Sequence, residues 1–566
     1  MDFDKLMKYL PAVLISLVFI CAGLILYFIL RYGVDVPYND QWEYVGFFEH
    51  AKSGTLTFKE LFNFQGEYRQ LFPNLIFVGL GLLTQWNVRY EMIVIFLMAC
   101  AISYNVYRLA GYTLRVGKWQ KWLVLLMVNF FIFSPCQYEN WLFGVQIEYF
   151  MPILCVTSCM VVVSSGMNMK LKLLLCLLFS VISIYSAVNG LLCWFLIVPL
   201  FFVSDHNRRF FKKWWVIYIW IFFILITLKF YFTGYKTPVN FPSPFLFLQH
   251  PGEAIQYYLG VLGNPLRIVH TLKAVMIVGG ALLLIFVSQI IYVAWHYKDK
   301  QLFRDAMVWI VLGLFSLATA AMITIGRFGF GLVQSLTPRY TTFSLYLIVA
   351  IIFLFAIIFQ RYVAMGRVTH FHKRVVAVLI LLLFYNGIGK YRDSVTDLKA
   401  FHNHIHHGKA GLLFIDFVSP VEYTNKIFPF EFKKLKKRAA ILNSLGYLRP
   451  ALLKSNIMQD MEGNGSGILP CGMLQSVVRL NDTLYRASGV SNRPNSKEPA
   501  DAVLITCDNL AGKSVLLTLS NADSLRWTKT FVVKDAAQNP LTIRAWAFDA
   551  DEGKAYRMGG SRRIAL

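Results

Sequence analysis

Apolar runs separated by short polar turns fill roughly the first 390 positions, and several approach the length of about 20 residues that a bilayer-spanning helix needs. They cover Pro11–Leu30, Leu71–Trp86, Met92–Leu109, Trp122–Phe133, Met151–Ser165, Leu173–Ser204 (a hairpin folded at AVNG), Trp214–Phe232, Ala274–Trp295, Ala306–Ile325, Thr341–Phe359 and Val375–Tyr385. The pattern predicts a polytopic α-helical membrane protein with about 11–13 membrane segments. Leu71–Trp86 is short and broken by Gly79 and Gly81, which suits a re-entrant element lining a protein cavity. The character changes after Gly389: Phe401–Leu453 reads as helical and carries the basic patch FEFKKLKKR. From about Ile468 short β-type runs (SVVRL, DAVLITC, SVLLTL, KTFVVK, LTIRAWAF) alternate with Asn, Asp, Gly and Pro turns. That spacing predicts a small antiparallel β-sandwich of roughly 100 residues. The expected domains are a transmembrane domain over 1–390, a helical connector over 391–455 and a β-rich accessory domain over 456–566.

Composition supports the membrane class, since 57% of the 566 residues are hydrophobic and 16% aromatic. The first helix has no small-residue cleavage site and reads as a retained anchor. The formal charge of +24 would suit a nucleic-acid partner if it were spread over one face. Instead the bases cluster in turns, as in Arg108–Lys121, Lys170–Lys172, Arg208–Lys213, Lys298–Arg304 and Arg361–Arg374. This is the bias that keeps loops in the cytoplasm, and it argues against a nucleic-acid partner. Orienting the helices by it places Asp35–Pro73, the ENWLFGVQ loop, the 233–270 segment, the GRFGFGLVQSLTPRY loop and the C-terminal region on the outer face. With the N-terminus inside, the alternation closes if Leu71–Trp86 does not cross fully or if another run hides an extra crossing. The nine cysteines show no metal-ligand spacing. Cys471 and Cys507, outside the apolar runs, are the pair that an oxidising compartment could join.

Three outer-face constellations suit chemistry. Asp35–Pro73 is dense in carboxylates and aromatics. Asp40, with Asp35 in reserve, suits a general base for a hydroxyl at the membrane edge, whereas the bland reading is interfacial solvation. Glu43 belongs to the same stretch, and Glu67 and Arg69 suit a local ion pair that places the re-entrant element. In the GRFGFG…TPRY loop, Arg327 and Arg339 run against the positive-inside bias and share a Gly-rich segment with Tyr340. Guanidinium forks there suit a lipid-linked phosphate, against the alternative of snorkelling to headgroups. Glu139, Asn140, Trp141, Gln146 and Glu148 combine amides with an aromatic, as sugar recognition does, although an interfacial aromatic belt has the same composition. His402 and His406 fall on one helix face without a clear third ligand, so no metal is expected there. The patch Lys433–Arg438 reads first as a solvated helix face.

Taken in order, NDQW, GEYRQLFP, ENWLFGVQ, the AVNG hairpin and GRFGFG…PRYTTF resemble bacterial polytopic sugar transferases of the GT-C superfamily, among them the phage-type serotype-converting O-antigen glucosyltransferases. The resemblance covers about residues 1–455 and departs at Tyr68, where His often stands between the Glu and the Arg. It implies a multi-pass protein of the bacterial inner membrane with its C-terminal domain in the periplasm. It also implies an inverting transferase that moves a sugar, glucose in the first instance, from a polyprenyl-phosphate donor to a cell-envelope glycan such as O-antigen lipopolysaccharide. By position, Asp40 and then Asp35 would be the base and Arg339 and Arg327 would hold the departing phosphate. Glu43, Glu67, Arg69, Glu139, Asn140, Trp141, Gln146 and Tyr340 would line the substrates. No cofactor is called for with certainty, and a divalent metal is the one addition the chemistry would accommodate. The alternative is a transporter or flippase of lipid-linked sugars, which should carry charges in mid-helix and paired broken helices. Here the charges crowd the helix ends, and no internal repeat is visible.

Overall fold

The computed structural model describes residues 3–66, 68–203, 214–235, 242–266, 271–417, 421–463, 471–494, 496, 498–520, 524–533 and 540–564. Among them, nine helices are long and apolar enough to cross a membrane: Tyr9–Tyr32, Arg89–Thr113, Lys118–Leu142, Gly144–Ser164, Trp214–Phe232, Leu272–Trp295, Lys300–Phe330, Pro338–Ala364 and a stretch of His370–Leu413. Large apolar side chains stand exposed along them, including Phe19 and Leu30, Phe222 and Leu225, and Ile277 and Leu284. Water would not tolerate contiguous surfaces of that kind, so these helices fit a membrane protein. The count falls below the expected 11–13, because some apolar runs fold into helices too short to cross. Leu71–Thr84 has 14 residues, about 21 Å of helix against a hydrocarbon core of about 30 Å. The Leu173–Ser204 run is a bend between two shorter arms, Met169–Ile184 and Val188–Val203. Gly190 permits that bend, since a Cβ there would stand 2.0 Å from the Ser183 carbonyl oxygen.

The chain divides into two compact units. The first comprises Met1–Gly33, Thr57–Gly79 and Arg89–Leu398; the second comprises Val34–Leu56, Leu80–Val88 and Lys399–Leu566. The first part of the acidic stretch, Val34–Leu56, therefore folds with residues from 399 onward, while Thr57–Gly79 belongs to the first unit. The helix that carries the last apolar run does not end near Tyr385: it continues through polar residues as one unbroken helix of 44 residues, His370–Leu413. Nothing between Tyr385 and Phe401 breaks it, because the interruptions at Gly387 and Gly389 are single glycines, which a helix interior tolerates at about 1 kcal/mol each.

Within the first unit, Lys300–Arg327 packs along Thr341–Ala364. Trp309 stacks on Phe353 at 3.6 Å between ring centroids and donates its Nε1–H to the Thr113 hydroxyl at 3.1 Å. Two two-residue strands, β1 (Phe64–Gln65) and β2 (Tyr68–Arg69), form a minimal antiparallel hairpin.

Within the second unit, Asn39–Tyr44 forms a 3-10 helix that continues into the helix Val45–Ser53. Phe48 is fully buried against Trp86 (4.5 Å between centroids) and Tyr447 (5.6 Å). The C-terminal region is β-rich, with strands β3 (Gly472–Arg479), β4 (Leu484–Ser491), β5 (Ala502–Asp508), β6 (Ser514–Ser520), β7 (Arg526–Val532), β8 (Leu541–Asp549), β9 (Lys554–Arg557) and β10 (Arg562–Ile564). One antiparallel sheet runs β10-β8-β5-β6 with β9 paired to β8; the other runs β3-β4-β7. The strand period of two shows in β7, where Trp527 and Phe531 are buried between exposed Arg526, Thr528 and Thr530. Those two rings join Tyr485, Val503, Ile505 and Ile543 in one core cluster drawn from both sheets. Cys471 and Cys507 are free thiols here, not the disulfide the sequence allowed.

Candidate phosphate- and sugar-binding site

In the first unit, the last turn of the helix Lys300–Arg327 delivers Arg327, and three short 3-10 turns, Phe328–Phe330, Leu332–Leu336 and Pro338–Tyr340, carry the chain to Arg339. Gly331, at φ +101°, makes the reversal between the first two turns, a conformation open to glycine and strained for other residues. Arg327 Nη2 donates to the Tyr68 hydroxyl at 3.2 Å. The Arg339 Nε lies 3.5 Å from Glu139 Oε1, and its guanidinium carbon is 5.9 Å from the centre of the Tyr340 ring. Tyr257 belongs to the same neighbourhood. Burial pushes its phenol well above the ordinary tyrosine range and Tyr340 adds to that, while the positive charges of Arg327 and Arg339 pull it back. Arg327, Arg339 and Glu139 all lie within electrostatic reach of the Tyr340 phenol, and guanidinium forks suit an anion.

ENWLFGVQ is a chain of short helical turns buried inside this unit, where an open loop was expected. Asn140 Nδ2 donates to the Arg339 carbonyl at 2.8 Å and to the Thr342 hydroxyl at 2.6 Å, and Thr342 also bonds Gln137. Asn140 thus fixes the backbone that carries Arg339. The Oδ1 of Asn140 and the Oε1 of Gln146 are buried acceptors with no hydrogen-bond partner among the described residues. Unmet acceptors of that kind cost about 1–3 kcal/mol each and in native proteins ask for an explanation such as a ligand or an ion. Trp141 departs from its expected role. It is fully buried, packs on Phe150 at 5.2 Å and donates Nε1–H to the Ser134 carbonyl at 2.9 Å, so its face is covered by protein and has no surface on which a sugar ring could stack. Glu148 is also buried and accepts from Gln70 Nε2.

Arg69 is anchored in the fold. Its guanidinium donates to the carbonyls of Tyr231 (2.7 Å), Phe62 (2.6 Å) and Thr233, and lies over the Phe62 and Phe64 rings at 4.5 and 4.1 Å. Its donors tie β2 to the C-terminal end of the helix Trp214–Phe232, which leaves no fork free for a substrate. Glu67, expected as its ion-pair partner and as a substrate contact, lies outside the described residues.

Asp35, Asp40 and Glu43 belong to the second unit. Asp35 Oδ1 accepts the Val88 backbone N–H at 3.1 Å, just ahead of the helix Arg89–Thr113. Asp40 is exposed in the first turn of the 3-10 helix Asn39–Tyr44. The residue before it, Asn39, holds φ +48°, a left-handed conformation uncommon outside glycine, and its backbone N–H donates to the Ile427 carbonyl at 2.7 Å. Glu43 is clamped: Lys434 Nζ and Arg438 Nη1 donate to its Oε1 at 2.9 and 2.8 Å, and Arg438 Nη2 bonds Oε2. Burial pushes the Glu43 carboxyl up, but its hydrogen bonds and charge pairing with Arg438 and Lys434 outweigh burial and hold it below the ordinary range. The basic patch is therefore partly spoken for, with Lys436 also paired to Asp416 at 3.0 Å. No metal-competent group of three or more His, Cys, Asp or Glu occurs among the described residues, and the His402 and His406 rings lie tilted with centroids 4.4 Å apart.

Tyr68, Tyr257, Gln137 and Thr342 were not singled out as site residues from the sequence. Tyr68 and Tyr257 carry no local signal in the sequence: the first stands where the sequence departs from the transferases it resembles, and the second sits in a polar segment. No known protein family, curated protein or solved structure matches this chain.

Proposed function

We propose that this protein is an inverting glycosyltransferase of the bacterial inner membrane, moving a sugar from a polyprenyl-phosphate donor to a cell-envelope glycan at the periplasmic face. The observation that carries the reading is the pair Arg327 and Arg339, held beside Tyr68, Tyr257, Tyr340 and the Glu139 carboxylate in a unit whose helices fit a membrane. A lipid-linked phosphate supplies both the anion for the guanidinium forks and the tail for an apolar setting. The unpaired acceptors of Asn140 and Gln146 suit sugar hydroxyls. In the second unit, the two β-sheets sharing one core fit a small sandwich domain.

In this reaction the acceptor hydroxyl oxygen attacks the anomeric carbon, and its proton passes to a carboxylate base. The bond from that carbon to the phosphate oxygen breaks, and its electron pair leaves with polyprenyl phosphate. Arg327 and Arg339 stabilise the charge that develops on the leaving group. Asp40, the base that the resemblance gives, is preferred over Asp35 because it is exposed.

The test is transfer from a radiolabelled polyprenyl-phosphate sugar to acceptor glycan by the purified protein. Arg339→Ala should lower turnover on the order of 100-fold, as loss of a charge-stabilising donor does, and Asp40→Asn should abolish it. Full turnover in Asp40→Asn removes the base assignment. Lipid flipping without transfer by the wild type replaces the enzyme with a transporter.

A further inference from the structure

A cleft of about 350 Å³ opens in the C-terminal region, well away in sequence from the arginine site. Its lining is polar: Glu422, Ser520, Ser524, Arg526, Thr528 and Lys529, with Trp527 among them. It lies where two sheet edges meet, since β6 ends the larger sheet and β7 ends the smaller one. Strand β7 contributes both of its faces at that edge.

The charges decide what fits. Lys529 is answered by Glu422, with Nζ 2.7 Å from Oε2, and its ammonium also lies 5.8 Å from the Tyr423 ring centre. Arg526 is exposed and forms no ion pair among the described residues, so the described part of the lining carries one cation in excess. Around it stand three hydroxyls: Ser524 gives its proton to the Arg526 carbonyl at 2.8 Å and Ser520 points to the Thr528 carbonyl, so these two offer acceptor lone pairs, while Thr528 can donate as well. Trp527, only 3% exposed, has an indole N–H without a hydrogen-bond partner among the described residues. An apolar ligand would strand these groups. An added peptide strand needs a free row of backbone groups on β7, but the Ser520 hydroxyl already reaches the Thr528 carbonyl at 3.5 Å. A polyhydroxylated ligand with an acidic group matches the hydroxyls and the unanswered guanidinium together.

We propose that this cleft binds a saccharide segment bearing a carboxylate, with sugar hydroxyls on Ser520, Ser524, Thr528 and Glu422 and the acid on Arg526. The inference draws on the glycan-transfer reading for the polymer's class, and it assigns that glycan a holding site on the C-terminal region.

Binding tests it directly, without transfer. The full-length protein in detergent is titrated calorimetrically with trigalacturonate, with maltotriose as the neutral control and inorganic phosphate as the simple anion. The expectation is saturable binding of trigalacturonate, weakened about tenfold in Arg526→Gln, with maltotriose much weaker. Arg526 is exposed, so the substitution leaves the core intact. Equal affinity in Arg526→Gln, no binding of trigalacturonate, or displacement of it by phosphate at equal concentration each overturns the site. Sugar transfer measured separately keeps the two readings apart: transfer without cleft binding removes only this site, and cleft binding without transfer removes only the enzyme.

Discussion

Arg69 separates a scaffold role from a substrate role. Arg69→Ala removes donors from three carbonyls, those of Phe62, Tyr231 and Thr233, and takes a guanidinium off two aromatic rings. The residue is 5% exposed, so water restores those partners only in part. A hydrogen bond involving a charged group contributes about 1.5–3 kcal/mol, and a cation over a ring about 0.5–1 kcal/mol or more. Allowing for partial resolvation and non-additivity, the loss should be about 4–5 kcal/mol. That corresponds to a fall in the melting temperature of roughly 5 °C or more. Arg69→Lys keeps a point charge but not the planar fork, and should recover about half of the loss. Thermal unfolding of the detergent-solubilised protein, followed by tryptophan fluorescence, reads the shift, and transfer measured well below the melting point reads function. If Arg69→Ala melts with the wild type yet has lost transfer, the guanidinium belongs on substrate and the reasoning is refuted.

Two other outcomes follow from the second unit. Glu43 has a carboxyl held below its ordinary value, so its contribution to stability is complete above the unfolded carboxyl pKa of about 4.3 and is lost as pH falls through the lower folded value. Glu43→Gln should therefore cost stability at pH 7 and nothing near pH 2. Because the carboxylate is 43% exposed, the neutral-pH cost should be about 1 kcal/mol or less, and a double-mutant cycle with Arg438→Ala checks that it belongs to this pair. Asn39 should be replaceable by Gly but not by Val, since only the former takes φ +48° without strain. Asn39→Val should lower kcat for transfer with little change in donor KM, and an Asn39→Gly protein as impaired as Asn39→Val would show that the backbone conformation is not what matters.

Legibility followed the reach of each signal. Long apolar helices, the continuous apolar run of β5 and the partly alternating strands β6 and β8 announce themselves locally, because hydrophobic pattern is a property of neighbouring residues. Strand β4 did not: its inward positions are Ala487, Gly489 and Ser491 beside Tyr485, kept small where the Trp527 ring packs on Gly489. Arg327 and Arg339 were legible because they defy the charge bias of their surroundings. Their partners were not, since Tyr68 and Tyr257 reach them across long stretches of chain. Trp141 shows the limit of composition, which cannot tell a ring that faces a ligand from one that faces its own core. Asn39–Ser53 meets the helix Phe432–Ser444 through the Glu43 clamp, a pairing across nearly 400 positions that no local pattern encodes.

The far end of the helix His370–Leu413 carries His406, which lies 3.5 Å from Asp501 and 3.7 Å from Asp551, while Lys409 holds Asp551 at 2.7 Å. Arg493 also bonds Asp501, whose Oδ2 accepts the Ala550 backbone N–H at 2.8 Å. Burial raises the Asp501 carboxyl, but His406 and Arg493 overcome it and hold the group well below the carboxylate range. A fragment begun at residue 456 would keep Asp501 in its buried position while discarding the imidazole and the ammonium that help to balance this cluster. The C-terminal sheets are therefore not a portable module: an excised piece that folds should begin no later than about residue 399, and grafting them onto another protein means transplanting the end of that helix as well.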